Sequence, residues 1–435
     1  MGDENKALLT VEALADVAAD EDKLFRDGYV KGSSKFIKEC ATPMTIAIQG
    51  NGGTGKTSLF NLIEAELRAE AEFEEDDPDE RKYCEDIIGV AFIDIGQQSV
   101  ANPNVNPFDI LLLGVLSKMT GYDLSSAENI SEITSVVSQI VGMVVDGGEK
   151  TEDDSILGSI LSALFGSEDD SKAGSKAESK DNFVRSEDIA AFRNALVETL
   201  QQYAEEAGKS RDSRFVVFVD GLDRIRPEAV VDLLGNIKAY LDCPRCVYVL
   251  AVDEKIVYDG IKKKLGDKVE EERKKLFYDT LVQVPIRIPI SAYNLDKYVE
   301  DLFRGEKDIS GEFVEVINTL VIEPTPRLIK RCINMTHLYW SIFGGSSSAD
   351  GGTLAMLFAA VILKDASDQG FNAVANCAKG DEAHFAENLK AVLDSSDFGN
   401  GINWARIPTL WCGKGDVDED VAKRSEFLSW ARKLR

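Results

Sequence analysis

The stretch "GNGGTGKTS", Gly50 to Ser58, sets Gly50, Gly55, Lys56 and Thr57 in the spacing G-x-x-x-x-G-K-T. Each residue type has a physical reason. Glycines let backbone N–H groups converge on anionic oxygens, a lysine neutralises outer phosphates, and the next hydroxyl can join the shell of a Mg2+ ion. The chemistry this spacing suits is the wrapping of a row of phosphates, with Asn51, Gly52, Gly53, Thr54 and Ser58 completing the binding loop. A second group belongs to the same chemistry. Asp220 closes the apolar run "RFVVFVD", where a direct or water-bridged magnesium ligand is required. The candidate metal ligands are therefore Thr57 and Asp220.

For these groups to meet, the glycine loop must leave a strand and enter a helix. "MTIAIQ", Met44 to Gln49, reads as that strand, and the segment after the loop carries Leu59, Leu62, Ile63 and Leu67 on one helical face. "IIGVAFIDI" predicts a second strand over about Ile87–Ile95, and "RFVVFVD" a third. After Asp220 the order is helix ("EAVVDLLGNIKAYL"), strand ("VYVLAV"), helix ("EKIVYDGIKKKLG") and strand ("VQVPIRIPI"). Alternation of this kind predicts an α/β fold, a doubly wound and mostly parallel sheet covered on both faces.

Residues 1–41 read as helical, with Leu14, Val17, Leu24 and Phe25 among their apolar positions. The expected organisation is a core over 1–294 with a helical insertion at about 100–182, a helical lid over 295–343, and a C-terminal helical region over 353–435. Within the insertion, Ile133, Val136, Val137, Ile140, Val141 and Val144 share a face, as do Leu157, Ile160, Leu161, Leu164 and Phe165. "GSEDDSKAGSKAESKDN", Gly166 to Asn182, has too little apolar content to pack and reads as a disordered or exposed connector.

At 435 residues, 44% of them hydrophobic, the chain is long enough for two or three domains with real cores. The net charge of −27 repels bare nucleic acid over most of the surface, which disfavours a nucleic-acid partner. "MGDENKALLT" lacks a signal pattern, and the seven scattered cysteines suit a reducing cytosol, so a cytoplasmic location is expected. "CPRC" places Cys243 and Cys246 in a C-x-x-C, but with only His337 and His384 in the chain it reads as a loop entering a strand. The uncharged runs Ile133–Val145 and Ser155–Ser167 are 13 residues each, whereas a spanning helix needs about 20. No transmembrane segment is expected.

Taken in order, "MTIAIQGNGGTGKTSLF", "VVFVDGLDRIRPEAVVDLLGNIKAYLD", "VYVLAVDEKIV", "LVQVPIRIPI" and "PTPRLIKRCIN" resemble the KAP P-loop NTPases, a branch related to the STAND and AAA+ ATPases. The resemblance covers roughly Phe25 to Trp340. It implies Mg2+-dependent binding and hydrolysis of a nucleoside triphosphate, ATP first. Lys56 would bind phosphate, Thr57 and Asp220 would hold the metal, and Arg327, at the "TPR" start of a helix, would sense the γ-phosphate.

Three departures stand out. Gly52 occupies a position where the family carries Trp, "FIDIGQ" replaces an Asn-Ala-Trp signature, and Gly221 replaces the acidic residue after the magnesium Asp. The resulting D-G-L-D is closer to NACHT-type proteins and leaves Asp223 as the nearest second carboxylate, expected to orient water. The resemblance also implies a conformational switch or an assembly, a homo-oligomer or a partner effector protein, and a bacterial setting such as phage exclusion. A non-hydrolysing nucleotide-binding scaffold that regulates an effector is the alternative, and Gly221 favours it.

Overall fold

The computed structural model describes residues 14–19, 21–24, 26–68, 84–101, 103, 105–120, 186–266, 270–287, 290, 293–303, 307–344, 351–377, 385–395, 398, 401–411 and 421–435. Its described residues form two compact units, one drawn from Asp27–Gly52 and Lys56–Ile288, the other from Met1–Arg26, Gly53–Gly55 and Pro289–Arg435.

The first unit is built on short apolar runs that alternate between two buried faces. Strands Met44–Gln49 (β1), Ile87–Asp94 (β2), Arg214–Asp220 (β3), Cys246–Val252 (β4) and Val284–Arg287 (β5) pair in parallel in the order β2-β3-β4-β1-β5. Helix Asp27–Glu39 (α1) precedes β1, and between the strands run Lys56–Glu66 (α2), Ile95–Ala101 (α3), Pro107–Thr120 (α4), Ser186–Glu206 (α5), Pro227–Asn236 (α6), Glu254–Leu265 (α7) and Glu271–Leu281 (α8). A π turn, Ile237–Leu241, prolongs α6.

Side chains of a strand alternate in direction, so one strand feeds both cores. On β3, Val216 and Phe218 pack with Ile37 of α1 and Leu59, Phe60 and Ile63 of α2. Phe215, Val217 and Val219 join the larger cluster with Phe108 of α4, Leu200 of α5, Val230 of α6 and Val257 of α7. The doubly wound, parallel α/β sheet expected from the strand–helix alternation is present.

The second unit is helical: Leu295–Leu302 (α9), Lys307–Leu320 (α10), Pro326–Phe343 (α11), Gly351–Ala366 (α12), Asp368–Cys377 (α13), Phe385–Ser395 (α14) and Val421–Lys433 (α15). Every residue of α12 from Leu354 to Leu363 is buried, so this helix is apolar on all sides and forms the axis of the unit. Phe313 of α10 stacks on its Phe358 with ring centroids 4.3 Å apart.

The observed elements depart from the sequence reading in several places. Residues 1–41 are not one helix: Leu14–Ala19 are irregular and α1 begins only at Asp27. At the start of that segment the Asn334 side-chain amide accepts from the Leu14 N–H and donates to the Leu14 carbonyl at 2.8 Å each, so both backbone groups of Leu14 are paired outside any helix. Apolar periodicity does not single out α8, whose Leu276 is 67% exposed while Tyr278 and Leu281 are buried. The described part of "VQVPIRIPI" is a strand only over Val284–Arg287.

The two amphipathic patterns of the insertion and the Gly166–Asn182 connector lie outside the described residues. Among the described residues no helix is long and apolar enough to cross a membrane. Cys243 and Cys246 are both buried at the entry to β4, and burial pushes their thiols up to about 11 and about 12, so they remain protonated at neutral pH.

Asp109, in the first turn of α4, is 3% exposed, and its Oδ1 has no hydrogen-bond partner among the described residues. Burial pushes its carboxyl from 3.8 up to about 7. The folded chain therefore keeps a proton that the unfolded chain releases, so stability falls as pH rises from about 4 to about 7 and stays lowered above that. Relative to the wild type, Asp109→Asn should gain stability between about pH 4 and about pH 8. Urea midpoints at the two pH values check this, and a constant difference between the proteins would contradict it.

Candidate functional site

The loop leaves the carboxyl edge of the sheet, where the Gly50 N–H donates to the Val252 carbonyl at the end of β4 at 3.1 Å. Two of its glycines, Gly53 and Gly55, have φ of 81° and 85°, a region that side chains other than glycine's strain to reach. The chain then enters α2 at Lys56, so the positive end of an 11-residue helix faces the loop. The Lys56 ammonium donates to the carbonyls of Gly50 at 2.8 Å and Asn51 at 3.1 Å.

Thr57 and Asp220 meet directly. The Thr57 hydroxyl donates to Asp220 Oδ2 at 2.5 Å, while Asp220 Oδ1 accepts from the Gly221 N–H at 2.7 Å. Asp220 is 6% exposed, a carboxylate kept in a near-dry place by these two donors. A hydroxyl and a carboxylate oxygen in contact are hard donors of the kind Mg2+ takes, so the residues present fit that ion. Of the site residues read from the sequence, the structure thus groups Gly50, Asn51 and Lys56 in one cluster and Thr57 and Asp220 in another.

Gly221 has a structural cause. Its φ is 76°, and a Cβ added there would run into the Oδ1 of Asp94 and come within 2.5 Å of the Gly96 N. Asp94 ends β2 in register with Asp220 at the end of β3. Its carboxylate caps α3 by accepting from the Gln97 N–H at 2.8 Å and pairs with Arg224 at 3.4 Å. The space beside Asp220 that a residue at position 221 would fill is therefore held by a carboxylate from the neighbouring strand. Sequence reasoning passed over Asp94; its signal was the parallel between "FID" and "FVD", two apolar strands that end in Asp.

Asp223 lies in the 3-10 turn Leu222–Arg224, half-buried, and its side chain has no partner among the described residues. It does not cap α6, whose N-cap is Arg226 with no side-chain cap, and Arg224 is turned to Asp94 instead. Asp253 caps α7 by accepting from the Lys255 N–H at 3.0 Å.

In the helical unit, Thr325 caps α11 and Pro326 opens it. Arg327 follows, with its backbone N–H 3.4 Å from the Gly53 carbonyl and its guanidinium Nε on Asp16 Oδ2 at 2.6 Å. A Cβ at Gly53 would lie 2.6 Å from the Arg327 Cβ, a second reason for glycine there. Lys330 donates to the Ala15 carbonyl at 3.1 Å, and Arg331 pairs with Asp365 at 2.7 Å.

Gly221→Ala should lower stability by about 1–3 kcal/mol, because it adds a strained φ and a collision with Asp94. Urea unfolding measures the loss; an unchanged midpoint would show that the β2 and β3 ends can separate to make room.

Part of the chain is similar to a protein from Escherichia coli (strain K12) named Phage T7 exclusion protein, at 29% identity over 93 residues. That match takes in 21% of this chain and spans only 12% of the relative's length. The model of the KAP family P-loop domain matches residues 26–342, which contain the glycine loop, Asp94, Asp220 and Arg327. Most of the sequence lies within that match, and the chain belongs to the KAP family of P-loop domains.

Proposed function

We propose that this protein binds a nucleoside triphosphate, ATP in the first instance, with Mg2+ and hydrolyses it to drive a conformational switch or an assembly. The observation that carries the proposal is the contact of the Thr57 hydroxyl with the Asp220 carboxylate, one residue from Lys56 on a loop with two glycines at positive φ. Backbone amides of Asn51 to Ser58 would receive the phosphates, and Lys56 would exchange its loop carbonyls for phosphate oxygens. Mg2+, held by Thr57 and Asp220, would supply charge neutralisation between the outer phosphates.

Asp223, with no partner among the described residues, would orient the attacking water. Arg327 would trade Asp16 for the γ-phosphate, and so report nucleotide state to α11. The setting is a cytoplasmic one, and the relative named as a phage exclusion protein supports a role in phage exclusion, acting with further copies of this chain or with an effector protein.

Lys56→Ala should abolish ATP binding in a calorimetric titration while leaving the fold intact, since the Lys56 ammonium meets the loop carbonyls of Gly50 and Asn51 and its proposed partner is phosphate. Wild-type affinity in the variant would overturn the assignment of the loop. Asp223→Asn should bind ATP normally and cut single-turnover phosphate release by about 10²- to 10⁴-fold, the contribution of a positioned proton acceptor. A wild-type rate would remove Asp223 from the mechanism. Tight binding by the wild type with no phosphate release would replace hydrolysis with the scaffold reading.

A further inference from the structure

The peptides Gly53, Thr54 and Gly55 lie in the same compact unit as Arg26, Tyr293 and Arg327. Each of the three loop carbonyls faces a donor. The Gly53 carbonyl meets the Arg327 N–H at 3.4 Å, the Thr54 carbonyl accepts from the Tyr293 hydroxyl at 2.8 Å, and the Gly55 carbonyl accepts from Arg26 Nη1 at 2.9 Å. A trans peptide is planar, so fixing the C=O of one residue fixes the N–H of the next in the opposite direction. The amides oriented in this way are those of Thr54, Gly55 and Lys56, at the heart of the proposed phosphate cradle.

Arg26 is a costly residue to place there. It is 2% exposed, and its compensation is Asp22 at 3.4 Å and the ring of Tyr293, 6.0 Å from its guanidinium carbon. A buried cation needs a close acceptor, and the Gly55 carbonyl is the nearest one shown, which makes the loop peptide part of what keeps Arg26 satisfied. Its charge also polarises that peptide, so the Lys56 N–H on the far side becomes a stronger donor to an anion. Gly53 and Gly55, at φ of 81° and 85°, would otherwise allow these peptides to turn over and present carbonyl oxygens to phosphate.

We infer that Arg26 and Tyr293 are positioning residues of the phosphate loop: by holding the Gly55 and Thr54 carbonyls they keep the following N–H groups aimed at phosphate. The inference rests on the reading that this loop binds a nucleotide. Both residues act on phosphate oxygens through the loop backbone, so their loss weakens recognition of the phosphate chain whatever base it carries.

The test uses the full chain with Tyr293→Phe, Arg26→Gln and Arg26→Lys, titrated with ATP and with inorganic triphosphate, and with melting temperatures taken in parallel. Tyr293→Phe deletes one hydroxyl and keeps the ring, so the affinity for both ligands should fall about 2- to 10-fold, the range of one hydrogen bond, with at most a small drop in melting temperature. Arg26→Gln should weaken both ligands more strongly, and Arg26→Lys, which restores charge and a donor, should recover part of the loss. Wild-type affinities in Tyr293→Phe and Arg26→Gln would overturn the inference while leaving the nucleotide reading in place. A lowered melting temperature with full affinity in Tyr293→Phe would overturn it too, by making the contact one of stability alone. Absence of ATP binding in the wild type would sink the nucleotide reading itself, and this inference with it.

Discussion

The hydrogen bond from the Thr57 hydroxyl to the Asp220 carboxylate can form only because β1 and β3 finish at the same edge of a parallel sheet with β4 between them. Val219 pairs with Leu250, and Leu250 pairs with Ala47, so Asp220 stands at the level where β1 is about to turn into its glycine loop. A slip of one residue in either pairing would reverse which face each side chain takes and pull Val216 and Phe218 away from α1 and α2. The apolar faces of β3 and β4 therefore do more than build a core. They hold a carboxylate and a hydroxyl in contact on opposite sides of an intervening strand.

The same register places Asp94 beside Asp220 and removes the room for a side chain at position 221. Read along the chain, Gly221 is a missing carboxylate. Read across the sheet, the missing group has a neighbour in its volume, contributed by β2 and fixed by the Gln97 amide and Arg224. An acid inserted at 221 would have to push that neighbour out before it could reach any substrate, so glycine is what this packing requires.

Much of this was legible in the sequence because the signals are local. β1, β3 and β4 are largely apolar runs of six or seven residues; the glycine loop follows the first directly and Asp220 ends the second. The structure puts the Thr57 hydroxyl on Asp220, while the roles of Thr57, Asp220, Asp223 and Arg327 are proposals. What was not legible depends on contacts with no sequence pattern. Tyr293 reaches Thr54 across 239 positions, Asn334 reaches Leu14 across 320, and neither the aromatic nor the amide marks its partner. The irregular Leu14–Ala19 segment and the unforeseen α8 are of this kind: Leu14 is paired with Asn334 in one case, and the mixed exposure of Leu276 and Tyr278 blurs the apolar spacing in the other.

Thr57 and Asp220 are proposed as the metal-binding half of a nucleotide site. Titrating ATP into the full chain with Mg2+ and again with excess EDTA, for the wild type and for Asp220→Asn, measures it directly. With the ion held by this pair, Mg2+ should tighten ATP binding to the wild type, and this gain should disappear in Asp220→Asn. Equal affinities with Mg2+ and EDTA in the wild type, or an undiminished Mg2+ gain in the variant, would contradict it.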